Sequence, residues 1–148
     1  MRALVQRVSE ARVVVGGNVV GEIGRGLLVL LGVARTDTPA DADYLAGKIP
    51  NLRVFENEQG QMDRSLLDIG GELLIVSQFT LYGDTRKGRR PSYDDAAPAE
   101  LARNLYDYFV SQSRSRIANK VATGVFQARM LVQSTNEGPV TLICESKV

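Results

Sequence analysis

The chain has 148 residues, 44% of them hydrophobic and 24% charged, with a formal net charge of +1, no histidine and one cysteine. That length and balance suit one domain with a packed core and exclude disordered or fibrous architectures. The small charge excludes wrapping a long stretch of nucleic acid; the missing histidine excludes Ser-His-Asp and Cys-His catalysis and every histidine metal site; and the lone Cys144 excludes an internal disulfide or a thiolate zinc site.

Two β-rich stretches open the chain, "ALVQRVSEARVVV" (Ala3 to Val15) and "NVVGEIGRGLLVLLGV" (Asn18 to Val33), and the Gly16-Gly17 pair between them reads as a hairpin turn. The run "LLVLL" does not alternate, which predicts a strand covered on both faces and therefore layers above and below it. The longest apolar run, Leu27 to Ala34, is far short of the ~20 residues that span a bilayer, and "MRALVQRVSE" lacks the apolar centre of a signal peptide. No Asn-x-Ser/Thr acceptor occurs, so a cytoplasmic protein is expected.

In "TDTPADADYLAGKI", Thr38 suits an N-cap, Pro39 the first helical position and Asp41 the first turn, and Pro50 should end or kink the helix near Ile49. Leu45, Ile49 and Leu52 would share its inner face. "ENEQGQMD" then reads as a surface turn, "RSLLDIGG" as a helical turn closed by glycines, and "ELLIVSQFTLYG" as an apolar strand with a polar end. The cluster "RKGRR" (Arg86, Lys87, Arg89, Arg90) reads either as a solvated loop balanced by Asp94 and Asp95 or as a local contact for phosphates. "APAELARNLYDYFVSQSRSRI" predicts an amphipathic helix with Leu101, Leu105, Tyr108 and Phe109 on one stripe. "VATGVFQARMLVQS" and "PVTLICES" read as two closing strands separated by Thr135 to Gly138. The sum is a single α/β domain without repeats or linkers.

The remaining chemistry must use hydroxyls, carboxylates, lysine, backbone amides or a group on the substrate, with no metal and no cofactor expected. "SQFT" is the leading candidate: Ser77, Gln78 and Thr80 interrupt the end of a buried strand, where backbone N–H groups can hold a developing oxyanion. The alternative is a strand that simply emerges into solvent. Without a neighbouring base Thr80 is a poor nucleophile, so an orienting role suits it better. Phe126 and Met130, four apart in a strand, should share a face, either as core or as a binding surface. Arg7 shares a strand face with Ala3 and Val5; it either snorkels outward or is held by backbone carbonyls or a partner chain. An X-Pro bond is cis in only ~5–6% of cases, so Gly138-Pro139 by itself permits a tight connection or a cis bond.

Together, "SQFTLYGD" and "NEGPVT", with "MRALVQRVSEARVVV", "GEIGRGLLVLLGV", "KIPNLRVFEN" and "MDRSLLDIGGELLIVSQFTLYGDTRKGRRPSY", make the chain similar over nearly its whole length to the D-aminoacyl-tRNA deacylases, the D-Tyr-tRNA(Tyr) deacylase family. The resemblance implies mixed and antiparallel β-sheets layered with two main helices, in a helix/sheet/sheet arrangement spanning residues 1–148. It implies hydrolysis of the ester between a D-amino acid and the 3′-terminal adenosine of tRNA, with glycyl-tRNA as a second substrate class and no metal or cofactor. It also implies a homodimer with active sites at the interface, in which cis Gly138-Pro139 of one subunit enters the other's site and excludes an L side chain. Carried over by residue, Ser77, Gln78, Phe79 and Thr80 would line the ester site, with the Phe79 amide as oxyanion donor. Phe126 and Met130 would contact the adenosine, Arg7 would brace Gly138-Pro139, and the RNA's 2′-hydroxyl would help activate water. Glu137, Gln127 and Pro50 depart from the family pattern, Gln127 beside the expected adenosine contact, and the "CESKV" end is expected to be peripheral. A non-catalytic RNA-end or small-ligand module, or a structural dimerising domain, would use the same fold without the chemistry.

Overall fold

The computed structural model describes residues 1–147. One sheet dominates, built from β1 (Arg2–Val15), β2 (Asn18–Ile23), β3 (Gly26–Gly32), β6 (Glu72–Ser77), β7 (Val121–Thr123) and β8 (Leu131–Glu145). A small hairpin of β4 (Phe55–Glu56) and β5 (Met62–Arg64) and the helices α1 (Pro39–Lys48), α2 (Leu66–Ile69) and α3 (Ala99–Arg116) complete it.

The long β1 organises the sheet. Its first half pairs antiparallel with β3, its second half with β2, and β8 runs antiparallel along it from Arg2 to Val14. The β1–β2 turn is made by Gly16 and Gly17, both at positive φ, as the glycine pair implies. β3 then pairs in parallel with β6, and β6 with β7. The sheet curls until β2 lies against β7.

The uninterrupted apolar run of β3 is explained by two cores. Leu27, Val29 and Leu31 join Leu45, Ile49, Phe55, Leu105 and Phe109 under α1 and α3, whereas Leu28 faces Val8, Val13, Ile23, Leu74 and Val76 inside the curl. A helix layer, the β3–β6–β7 layer and the folded-over β1–β2 layer therefore make a mixed α/β single domain, as the fold class expected.

α1 begins as the sequence predicts: Thr38 and Asp41 form a capping box with Pro39 in the first turn, and Ile49–Asn51 tightens into a 3-10 turn at Pro50. On α3 the stripe is rotated from the expected one. Leu105 and Phe109 are central, but Ala102, Tyr106, Val110 and Ser113 flank them. Leu101 and Tyr108 stay half-buried, and the Tyr108 hydroxyl donates to Asp43 Oδ1 of α1 at 2.9 Å.

Four further expectations change. "ELLIVSQFTLYG" is a strand only to Ser77: β3 ends at Gly32, the Gln78 N–H takes the last ladder acceptor at Leu31, and Phe79–Tyr82 coils into a 3-10 turn. "VATGVFQARMLVQS" is not one strand, because β7 pairs with β6 while β8 pairs with β1, so residues 124–130 must cross between those edges as a loop. The closing strands are one strand, β8, carrying a bulge: Val8 faces Asn136 and Gln6 faces Thr141, leaving residues 137–140 unpaired opposite Arg7. The "CESKV" end is not peripheral over its described part, since Cys144 is buried, the Ser146 hydroxyl donates to Asp41 and the Lys147 ammonium lies 3.3 Å from both Asp37 and Asp41. Val148 lies outside the described residues.

Candidate active site

At the carboxyl end of β6 the ladder stops and a cleft of about 810 Å³ opens, within the ~300–1,000 Å³ range of small-ligand sites. Ser77, Gln78 and Phe79 form one wall, Phe126, Ala128 and Met130 of the crossing loop another, and Ala97, Ala99 and Ala102 at the start of α3 a third. The alanines create the space, because any larger side chain there would fill it. None of the twelve lining residues carries an ionisable side chain.

Any chemistry in this cleft must therefore use amides, hydroxyls or groups on the ligand. Phe79 heads the 3-10 turn, where N–H groups lack intrahelical acceptors, and among the described residues neither its amide nor that of Thr80 has a backbone partner. The Thr80 side chain is exposed and outside the lining, but its Oγ1 accepts from Gln78 Nε2, which ties it to the wall. The Phe79 ring is 55% exposed and meets Tyr93 edge-on at 5.1 Å between centroids, an aromatic lip over solvent.

Phe126 and Met130 face the same cleft, though from a loop rather than a strand. The Phe126 ring leans on Tyr106, 6.0 Å between centroids, and the Tyr106 hydroxyl donates to the Ile75 carbonyl at 2.8 Å. Burial pushes that phenol up to about 12, so it stays a neutral donor. Gln127, singled out as a departure, sits in the left-handed region at φ 63 and lines the cleft. A non-glycine residue held there carries a backbone cost, a pattern that clusters at functional sites.

Arg7, Gly138 and Pro139 lie elsewhere on the molecule. Arg7 is 7% exposed: its Nε donates to the Glu137 carbonyl at 3.0 Å and its Nη1 to the Val54 carbonyl at 2.8 Å, so of the open alternatives it is held by backbone carbonyls. It thereby grips the β8 bulge. Asn136 closes the bulge from the other side, accepting from the Val140 amide at 3.1 Å and donating to Thr141 Oγ1 at 2.9 Å. The Gly138-Pro139 bond is cis, Gly138 has φ 127, and a Cβ there would sit 2.9 Å from Arg7 Nη2. Both residues are exposed and neither lines the cleft of its own chain.

The Arg86 to Arg90 loop is exposed, and Arg86 is partly spoken for by Asp84 at 2.6 Å, a pairing that holds the Asp84 carboxyl down at about 2. Sequence reasoning missed the alanine wall, whose only signal is the spacing in "APAELA", and also Arg103, whose guanidinium lies over the Phe126 ring. Among the described residues no group of three or more His, Cys, Asp or Glu could hold a metal, and no helix is long and apolar enough to cross a membrane.

Known proteins resemble this chain over nearly its whole length. The family model described as D-Tyr-tRNA(Tyr) deacylase matches residues 4–145. The D-aminoacyl-tRNA deacylases of Thermosipho melanesiensis and Clostridioides difficile are 58% and 56% identical, the alignments covering 99% of this chain and 98% and 97% of theirs. A solved structure described as c-Myc DNA Unwinding Element Binding Protein is 43% identical with a TM-score of 0.95 over 100% of both chains. One described as a probable eukaryotic D-amino acid tRNA deacylase shares the fold at 20% identity, with a TM-score of 0.83 over 97% of this chain and 98% of its own.

Proposed function

Since the chain belongs to the D-Tyr-tRNA(Tyr) deacylase family and is a hydrolase acting on D-aminoacyl-tRNA, we propose that the cleft beyond β6 holds the 3′-terminal adenosine and its aminoacyl ester. The observation that carries this is the pairing of an acceptor-free Phe79 amide with a lining that has no ionisable side chain. Hydrolysis adds water to the ester carbonyl, gathers negative charge on the carbonyl oxygen, and expels the ribose oxygen, which takes up a proton. The Phe79 N–H, free of a backbone acceptor, would receive that charge. Ser77 and Gln78 orient the ester, Thr80 acts through its hydrogen bond with Gln78, and Phe126 and Met130 contact the adenosine. The adjacent 2′-hydroxyl of the RNA helps activate the water, a role that no side chain in the lining is equipped to fill.

Chirality is read by a second copy of the chain. β8 is a 15-residue strand whose outer edge has no partner among the described residues, and it exposes Leu131 at 62% and Ile143 at 65%. Such an edge invites pairing, which supports a homodimer across it. In that dimer the exposed Gly138-Pro139 bulge, anchored by Arg7, enters the partner's cleft and leaves no room for an L side chain. Main-chain atoms would do the excluding, so many D side chains are admitted, and glycine, lacking a side chain, passes too. The exposed Arg86, Lys87, Arg89 and Arg90 would meet acceptor-stem phosphates. A role in translation implies the cytoplasm.

Incubating the protein with D-Tyr-tRNA and L-Tyr-tRNA tests the function. Selective release of D-tyrosine is expected; release of neither, or of both equally, would show that the cleft is a binding site only or that the filter is absent. Charge reversal across Arg86 to Arg90 should reduce the salt dependence of tRNA binding, and an unchanged slope removes that loop from the RNA path.

A further inference from the structure

Arg103 lies over Phe126, a lining residue of the cleft, with an uncommitted charge. It lies four residues beyond Ala99 and one beyond Ala102, both lining residues, on the first turns of α3. Its guanidinium sits 4.7 Å from the centre of the Phe126 ring, and that ring rests in turn on Tyr106, which is bonded to the Ile75 carbonyl of β6. Guanidinium, Phe126 and Tyr106 thus form a stack fixed to the strand that builds the site.

Arg103 is exposed, and among the described residues it forms no ion pair, unlike Arg2, Arg53, Arg64 and Arg86, each of which meets a carboxylate. Asp107 lies four residues along the same helix, a spacing that permits pairing, yet the guanidinium lies over the aromatic ring instead. A stacked guanidinium keeps its five N–H donors at the edges of its plane, the geometry suited to a phosphate. The cleft itself contains no cation. A nucleotide seated in it still carries a phosphodiester on its 5′ side, and that charge must lie at the mouth.

We infer that Arg103 binds the phosphodiester on the 5′ side of the terminal adenosine and, through its stack on Phe126, sets how deeply that nucleotide enters. This rests on the reading of the cleft as the adenosine site. The residue is a binding and positioning group, not part of the chemistry.

The test compares Arg103→Gln with the unchanged protein on D-Tyr-tRNA and on D-tyrosyl-adenosine, which lacks the phosphate. On D-Tyr-tRNA, kcat/KM should fall about tenfold, mainly through KM, and its slope against log salt should flatten by roughly 0.7–1. On D-tyrosyl-adenosine the change should stay below twofold. Arg103→Lys, which keeps the charge but not the planar stack, should restore the salt slope and only part of the rate. Binding gives an independent readout: the unchanged protein should prefer adenosine 5′-monophosphate to adenosine, and Arg103→Gln should erase that preference. Equal losses on both substrates would reduce Arg103 to a support for Phe126, and no loss on either would remove it from the site; both overturn the inference. Failure of the unchanged protein to hydrolyse either substrate would instead strike at the deacylase reading of the cleft.

Discussion

Replacing Arg7 by Met keeps most of the stem packed between its β1 neighbours but removes the cation that spans two parts of the chain. Two charge-assisted hydrogen bonds disappear, Nε to the Glu137 carbonyl and Nη1 to the Val54 carbonyl. Each is worth about 1.5–3 kcal/mol, a gross loss of roughly 3–6 kcal/mol. Part returns because a buried charge no longer has to be desolvated and because Glu137, an exposed residue, can turn its carbonyl to water. The Val54 carbonyl, on a residue only 7% exposed, has no such escape. The expected net destabilisation is about 2–4 kcal/mol. With an m-value of about 2 kcal/mol per M, urea unfolding should show a midpoint lower by roughly 1–2 M. Arg12, on the same strand but exposed and bonded only to the Gln133 side chain, is the control, and Arg12→Met should cost under ~0.5 kcal/mol. Amide exchange in Arg7→Met should quicken first in residues 136–140, and discrimination between D- and L-Tyr-tRNA should narrow as the bulge loses its anchor. Equal midpoints for the two variants would refute the account of Arg7 as the clamp on the bulge.

Because none of the twelve cleft-lining side chains titrates, the pH profile of kcat should show no bell between about pH 5 and 9 beyond the titration of the substrate's own α-amino group; a limb that persists with a substrate whose amino group is acetylated would place a protein acid or base in the reaction. Burial by itself would raise the Asp41 carboxyl, but hydrogen bonds from the Ser146 hydroxyl, the Thr38 amide and hydroxyl, and Lys147 bring it from 3.8 to about 2. Its stabilisation is therefore fully present above about pH 4 and fades as the pH falls through 2. Asp41→Asn should lose about 1–2 kcal/mol at pH 7 through the broken capping box, with the gap to the unchanged protein closing on acidification; a pH-independent gap in thermal unfolding between pH 5 and 2 would contradict this. Gln127→Gly should raise stability by about 0.5–1 kcal/mol by relieving its left-handed backbone, and a lower melting temperature would mean that the Gln127 side chain contributes more than its backbone costs.

Most of the fold could be read from the sequence because its local signals agree with one another. Thr38, Pro39 and Asp41 announce a helix start, and Gly16-Gly17 a hairpin turn. The unalternating "LLVLL" announces two buried faces, and the structure supplies two cores. The misreadings of the strands share one cause. Where β6 stops, how residues 124–130 travel, and that "PVTLICES" continues the strand before it are all set by which neighbour is available for pairing. That depends on β3 ending at Gly32 and on β1 offering β8 an edge along its whole length.

The candidate site divides in the same way. Ser77, Gln78, Phe79, Phe126 and Met130 were named from motifs, and all five line one cleft. Thr80 reaches it only through Gln78, and the alanine wall and Arg103 carried no signal strong enough to be singled out. From composition alone follow the absence of histidine and the weakness of the net charge, and with them a chemistry left to hydroxyls, carboxylates, lysine, amides and substrate groups, because these depend only on which atoms the chain contains; the cleft lining then removed carboxylates and lysine. Tertiary structure alone decided that Arg7 would hold two carbonyls rather than reach for solvent, and that Gly138-Pro139 would stand exposed on a bulge, away from its own cleft. Those outcomes depend on strand register, which brings Arg7 opposite residues more than a hundred positions away, and no local pattern encodes a register.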